Sequence, residues 1–159
     1  MIVVSDTSPL HYLILIDQVF VLPALFGRVL TTPHVIAELG RLEAPEQVRA
    51  WLTNLPDWLE IKTPQSIPST SRLDQGETEA IALAQELGAD TLLIDERDGA
   101  KFAREQGLFV TGTLGVLQTA ARRGLLSLAD ALETLRGTNF RHSATLFDQL
   151  LDDESSESS

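Results

Sequence analysis

The chain contains no cysteine. Disulfide staples and thiolate metal sites are therefore excluded, and any bound metal must take oxygen or imidazole ligands, a donor set that favours magnesium or manganese. Long hydrophobic runs are scarce as well. The longest apolar stretch, Leu13 to Phe26, is broken by Asp17, Gln18 and Pro23, too interrupted for a membrane span. No basic segment followed by a cleavage site opens the chain, so a cytoplasmic protein is expected. Positive charge is also in short supply: 12 lysines and arginines face 23 aspartates and glutamates, a formal net charge of −11. Such an excess repels polyanions at long range and argues against a simple nucleic-acid binder.

What is present suffices for a packed globule. With 159 residues, 43% of them hydrophobic, one domain with a sizeable core is expected over residues 1–151. The remaining DDESSESS, residues 152–159, is a low-complexity acidic run with no apolar area to bury, and is expected to be disordered. The Pro/Ser/Thr-rich stretch TPQSIPSTSR, residues 63–72, is expected as a surface loop within that domain.

Periodicity and punctuation divide the rest. A strand is expected over Ile2 to Asp6, helical matter from Pro9 to Phe26 and an extended piece over Val29 to Thr31. Helices from Pro33 and from Pro45 to Leu55 follow, then a strand over Trp58 to Lys62. Beyond the loop come helix Gln75 to Leu87 stopped by Gly88, strand Thr91 to Asp95, helix Gly99 to Gln106 stopped by Gly107, and strand Leu108 to Thr111. Helices over Thr113 to Arg123, Leu128 to Leu135 and Ala144 to Leu151 complete the pattern. Short strands alternating with helices require crossover connections, which predicts an α/β fold with a parallel sheet covered on both faces.

Two of those strands, IVVSD and TLLID, end in aspartate. Ligands of open parallel sheets bind beyond the carboxyl ends of the strands. If the two strands are neighbours, Asp6 and Asp95 converge there, and such a like-charge pair needs a cation or a raised pKa. Capping does not require Asp6, because Ser8 followed by Pro9 already supplies a helix-start signal.

In DQGETEAIALAQELG, helix geometry separates two more carboxylates. Glu77 falls on the apolar stripe of Ala80, Ile81, Ala84 and Leu87, where a charge needs a metal or a donor. Glu79 projects with Glu86 and reads as a solvated charge. In TPHVIAELG the apolar face is Val35, Ile36 and Leu39, with Glu38 on its flank and His34 one turn earlier, the pattern of a solvated pair. Asp98, in DERDG, suits a turn or a cap of the following helix.

The succession VSDTSPL, PHVIAEL, GETEAIALAQELG and LLIDERDG resembles a PIN domain, the nuclease domain of VapC-type toxins. It is most similar to a PIN-like branch in which a GTLGVL segment, here Gly112 to Leu117, precedes a basic AARRGLL. The resemblance covers the chain to about Leu135 and implies a three-layer α/β/α fold with a short parallel central sheet. It also implies a metal-dependent ribonuclease whose acidic residues bind Mg2+ or Mn2+. The first acid of the family pattern matches Asp6, the second Glu38, the third Glu77 and the fourth Asp95 or Asp98, with Glu96 between them. Glu77 departs from the aspartate common in relatives by one methylene, and LLIDERD lacks the threonine that often precedes the fourth acid.

The resemblance thus implies Asp6, Glu38, Glu77 and Asp95 as catalytic residues and Asp6, Glu77, Asp95 and Asp98 as metal-binding residues, with Asp6 and Asp95 expected as direct ligands and Glu38, Glu77 and Asp98 as direct or water-mediated ones. Contacts to an RNA backbone need local cations, for which Arg97, Lys101 and Arg104 are candidates, together with Arg122 and Arg123. Family habit adds a protein antitoxin, docked along the helices between Pro9 and Leu55, and a homodimer as further expectations. Two rivals stand beside this reading. The net charge and the loose fourth motif suggest a PIN-like interaction module without turnover. Asp6 followed by Thr7 at a strand end suggests a phosphoryl-transfer domain with Asp6 as nucleophile, although Ser8 breaks the DxD arrangement of the commonest such hydrolases.

Overall fold

The computed structural model describes residues 1–41, 43–67, 73–141 and 144–158. The described chain separates into two compact units, Met1–Thr113 and Leu114–Ser159. The first contains the whole sheet. Its strands are β1 (Val3–Ser5), β2 (Val29–Thr31), β3 (Leu59–Ile61), β4 (Thr91–Leu93) and β5 (Val110–Thr111), all parallel, in the order β3-β2-β1-β4-β5. Val, Leu and Thr dominate them, and β1 and β2 are buried along their length, as strands covered on both faces must be.

Between the strands run α1 (Thr7–Leu15), α2 (Val21–Phe26), α3 (Pro33–Leu39), α4 (Glu46–Leu52), α5 (Gln75–Leu87) and α6 (Arg97–Glu105). Val4 pairs in register with Leu30 on one side and Leu92 on the other. These three side chains share a core cluster with Ala80, Ile81, Leu83 and Ala84 of α5 and Ala100 and Ala103 of α6. Their strand neighbours Val3, Val29 and Leu93 point to the opposite face, where right-handed crossovers place the helices that link β1 to β2 and β2 to β3. The result is the expected three-layer α/β/α arrangement.

The order of the strands matters for function. From β1 the chain winds outward through β2 to β3, then returns to β4 on the other side of β1 and continues to β5. The direction of winding therefore reverses between β1 and β4, which is where open parallel sheets form their ligand crevice. Asp6 directly follows β1, and its N–H still donates to the carbonyl of Leu93 at 2.8 Å. Asp95 follows β4 by two residues. The expected adjacency of the two strands is present.

Several local expectations are corrected. Helix α1 begins at Thr7, so Asp6 occupies the cap position and Ser8–Pro9 lie inside the first turn. The carboxylate of Asp6 makes no capping bond into that turn. Helix α6 begins at Arg97 and is capped by Glu96, whose Oε2 accepts from the N–H of Gly99 at 2.8 Å; Asp98 lies inside the helix rather than before it. Of the expected loop, residues 63–67 lack helix and strand, and the N–H of Gln65 donates to both carboxylate oxygens of Glu86. Residues 68–72 of that loop lie outside the described residues.

The second unit consists of helices: α7 (Thr113–Arg122, of which Thr113 belongs to the first unit), α8 (Leu128–Arg136) and α9 (Ala144–Ser158). Ser127 caps α8 through the N–H of Asp130, and Leu128, Leu132, Leu135 and Phe147 are buried. The guanidinium of Arg136 lies over the Phe147 ring, 5.4 Å from its centroid. Helix α9 was expected to stop at Leu151; it continues to Ser158, so residues 152–158 of the acidic tail are helical. Ser159 lies outside the described residues. Among the described residues no helix is long and apolar enough to cross a membrane.

Candidate active site

Asp6 is held at the end of a buried strand with only 5% of its surface exposed. Burial pushes its carboxyl up to about 7, and the neighbouring charges of Asp74, Glu38 and Asp95 push in the same direction; the backbone N–H of Thr7 opposes them by stabilising the ionised form.

Glu77 sits in the first turn of α5, fixed there by Asp74, whose Oδ1 accepts from the N–H of Glu77 at 2.7 Å. It is 7% exposed. Burial again comes first in pushing it up to about 8, followed by the charges of Asp74, Asp6 and Glu96 and by a hydrogen bond with the side chain of Asp74. The expectation that a carboxylate on the apolar stripe would need a partner thus meets a cluster of like charges. Gly99 allows α6 to come close: a Cβ there would lie 2.7 Å from Ile94 Cδ1 and 3.4 Å from Glu77 Oε2.

Asp95 is anchored differently. Its Oδ1 accepts from the backbone N–H of Thr113 and its Oδ2 from the Thr113 hydroxyl, both at 2.6 Å. Burial raises its pKa, and the two bonds from Thr113 work against the rise. Glu38 reaches the site from α3. Its Oε2 accepts from the Thr7 hydroxyl at 2.6 Å, its Oε1 lies 3.3 Å from His34 Nε2 and 3.9 Å from Arg41, and its charge acts on Asp6.

Asp6, Glu38, Glu77 and Asp95 are therefore brought to the same end of the sheet. Asp98, in the first turn of α6, is exposed and, with Leu73, Lys101, Phe102 and Glu105, lines an open cavity of about 310 Å³. The structure adds Asp74 and Glu96, both close enough to act on Glu77. The sequence signal for Asp74 was its spacing from Glu77: Asp-x-x-Glu ahead of a helix is a capping pattern.

Glu79 corrects a second expectation. It is 8% exposed rather than solvated, because α3 covers the flank of α5 on which it lies and brings His34 Nδ1 to 3.8 Å from its Oε2. His34 and Glu38 are likewise half-buried and not the solvated pair expected. Arg97, Lys101 and Arg104 are exposed along one stripe of α6, opposite its buried face of Gly99, Ala100 and Ala103. Arg122 and Arg123 are exposed in the second unit.

Among the described residues no group of three or more His, Asp or Glu side chains is arranged to hold an ion as it stands. The chemistry of the site nevertheless suits a hard divalent cation. All donors around Asp6 and Glu77 are carboxylate oxygens, and both groups carry a desolvation and repulsion cost that a cation would relieve. Magnesium needs only one or two carboxylates, since it retains several waters. Asp6 and Glu77 fit that role, and Asp95, whose two oxygens each accept one bond from Thr113, keeps a lone pair on each for the same ion.

A family model described as PIN domain matches residues 2–156. The chain belongs to the PIN domain family. PIN domains are in general metal-dependent nucleases that use divalent ions, in keeping with the carboxylate cluster at the β1/β4 switch. Among solved structures, a PilT N-terminus domain protein from the hyperthermophilic archaeon Sulfolobus solfataricus P2 is similar in fold. It has a TM-score of 0.52 and 16% sequence identity, over 89% of this chain and 100% of that one. No curated protein matches the chain.

Proposed function

We propose that this PIN domain is a Mg2+- or Mn2+-dependent endoribonuclease and acts as the toxin of a toxin–antitoxin pair. The observation that carries the nuclease reading is the meeting of Asp6 and Glu77 at the sheet's switch point, two buried carboxylates from distant parts of the chain, Glu77 raised in part by the charge of Asp6 and both by that of Asp74. Asp6 and Glu77 would hold the ion. When bound, it supplies Lewis-acid polarisation of the phosphate and a water of lowered pKa.

The remaining work falls to the chain's own groups. Asp6 and Glu77 would serve as ligands in their ionised form. Glu38, fixed by the Thr7 hydroxyl, and Asp95, fixed by Thr113, present further carboxylate oxygens beside them. The cationic stripe Arg97, Lys101 and Arg104 on α6 offers contacts to the RNA backbone that offset the acidic surface. For the toxin role, support comes from family habit and from an open cavity of about 570 Å³ in the first unit, lined by Ile14, Leu15, Val19, Ala50 and Trp51 with Asp17 and Gln47, where an antitoxin helix would lay an apolar face.

The test is incubation of the purified protein with total RNA in magnesium, manganese or chelator, beside Asp6→Asn. Cleavage that needs the ion and disappears in Asp6→Asn, with circular dichroism unchanged, is the expected result. Ion binding without cleavage of a broad RNA panel would instead identify an interaction module.

A further inference from the structure

One buried group has no role in the site as described so far. Glu79 Oε2 is buried and has no hydrogen-bond partner among the described residues, a costly state for a carboxylate oxygen. What it faces is the imidazole of His34, with Nδ1 at 3.8 Å, and the other ring nitrogen, Nε2, stands 3.3 Å from Glu38 Oε1. The ring therefore lies between a carboxylate of α5 and one of α3. The approach depends on Gly76, where a Cβ would come to 2.9 Å from Glu38 Oε1 and 3.2 Å from His34 Cδ2. A side chain at that position would push into both groups.

We infer that His34, packed between the carboxylates of Glu38 and Glu79, is a positioning residue for Glu38, so that the second carboxylate of the PIN site is presented in one orientation toward the cation. The inference rests on the reading of Glu38 as part of that cation's surroundings. The Thr7 hydroxyl donates to Oε2 and the imidazole packs 3.3 Å from Oε1, so both oxygens of the carboxylate are flanked. Outer partners of this kind orient the groups around a metal without touching it. Helical spacing supplies the first link, since His34 and Glu38 are i,i+4 on α3; tertiary packing of α3 on α5 supplies the second.

Mn2+ alone is the probe, with free ion read by electron paramagnetic resonance on the full chain and no RNA present. His34→Ala is expected to weaken Mn2+ binding by about tenfold or more, the usual effect of losing an outer-shell partner. His34→Gln, whose amide nitrogen falls near the position of Nε2, is expected to restore most of the affinity, and Glu79→Gln to weaken it. In a Glu38→Ala background, His34→Ala is expected to cause no further loss, which a general packing role would not produce. Circular dichroism accompanies each variant, and His34→Leu carries the same expectation should His34→Ala fail to fold. Wild-type affinity in His34→Ala or His34→Leu, or an equal loss with and without Glu38, would overturn the inference. Equal Mn2+ uptake by the wild type and Asp6→Asn would instead remove the cation site itself, and the role of His34 with it.

Discussion

Thr113 holds Asp95 by two hydrogen bonds of 2.6 Å, one from its backbone N–H and one from its hydroxyl. The carboxylate just past β4 is thereby tied to the first residue of α7, two residues beyond β5, and its orientation is set before any ligand arrives. Hydrogen bonds to a charged partner contribute more than neutral ones, and Thr113 is fully buried. Thr113→Val, which keeps the shape and removes the hydroxyl, is expected to cost about 1.5–3 kcal/mol in urea denaturation. Unchanged stability would mean that the hydroxyl bond is not formed.

The same anchorage makes Gly112 intolerant of a side chain. A Cβ there would lie 2.5 Å from Asp95 Oδ1 and 3.3 Å from the Ile94 carbonyl, and Asp95 cannot swing away without giving up Thr113. Gly112→Ala is expected to destabilise the fold by about 1–3 kcal/mol, the range for forcing atoms into a packed site. The companion expectation is a loss of RNA cleavage larger than that of Asp98→Ala, since Asp98 is exposed on α6 whereas Asp95 is locked in place by Thr113. Equal activity of the two variants would contradict it.

Stability of the metal-free chain should fall with rising pH. Asp6 and Glu77 are raised in the fold, to about 7 and about 8, above the unfolded values of about 3.9 and 4.3. Their contribution is fully present below the unfolded values and is lost as pH climbs through the folded ones. For Asp6 alone the shift corresponds to at most about 4 kcal/mol. In chelator, Tm is expected to drop between pH 5 and pH 8.5, less steeply in Asp6→Asn. Added Mg2+ at pH 8 is expected to restore it by binding only the native state. A flat profile in chelator would show that the two carboxylates are better solvated than the geometry implies.

Much of this arrangement was legible before the structure. Helix α5 has the expected ends, Gln75 and Leu87, because Asp74 caps one and Gly88, in the left-handed region at φ 60°, closes the other. β2 coincides with the expected Val29 to Thr31. Glu77 was singled out by its place on the apolar stripe, a property of one helix alone. What could not be read was whatever depends on two elements meeting. The burial of Glu79 arises from α3 lying against its flank, and no periodicity within α5 encodes that contact. The adjacency of β1 and β4 was conditional because strand order is a tertiary property. The cap of α6 went to Glu96 instead of Asp98, a choice between nearby acids that local propensity does not make.

Asp74 combines two roles that substitution can separate. Its Oδ1 caps α5 through the N–H of Glu77, and its charge raises Glu77. Asp74→Asn keeps an acceptor at the cap and removes the charge, whereas Asp74→Ala removes both. The alanine variant is expected to lose about 1 kcal/mol relative to asparagine. Both are expected to bring the Glu77 carboxyl down toward the ordinary range, as measured by carboxyl NMR titration of the metal-free protein. A Glu77 titration unchanged in both variants would remove Asp74 from the cluster.

The raised carboxyls of Asp6 and Glu77 also bear on how the ion would enter. At pH 7 the metal-free site is partly protonated, because Asp6 titrates near 7 and Glu77 near 8, while a carboxylate must be ionised to serve as a ligand. Mg2+ binding at pH 7 is therefore expected to release about one proton. Calorimetry in two buffers of different ionisation enthalpy measures that number directly. Release is expected to shrink toward zero at pH 9, where both groups are already ionised, and to fall at pH 7 in Glu77→Gln, which has no proton to give up. Binding heats independent of buffer at pH 7 would mean that the ion is held elsewhere, since no ligand set that includes these two raised carboxylates can be charged without expelling their protons.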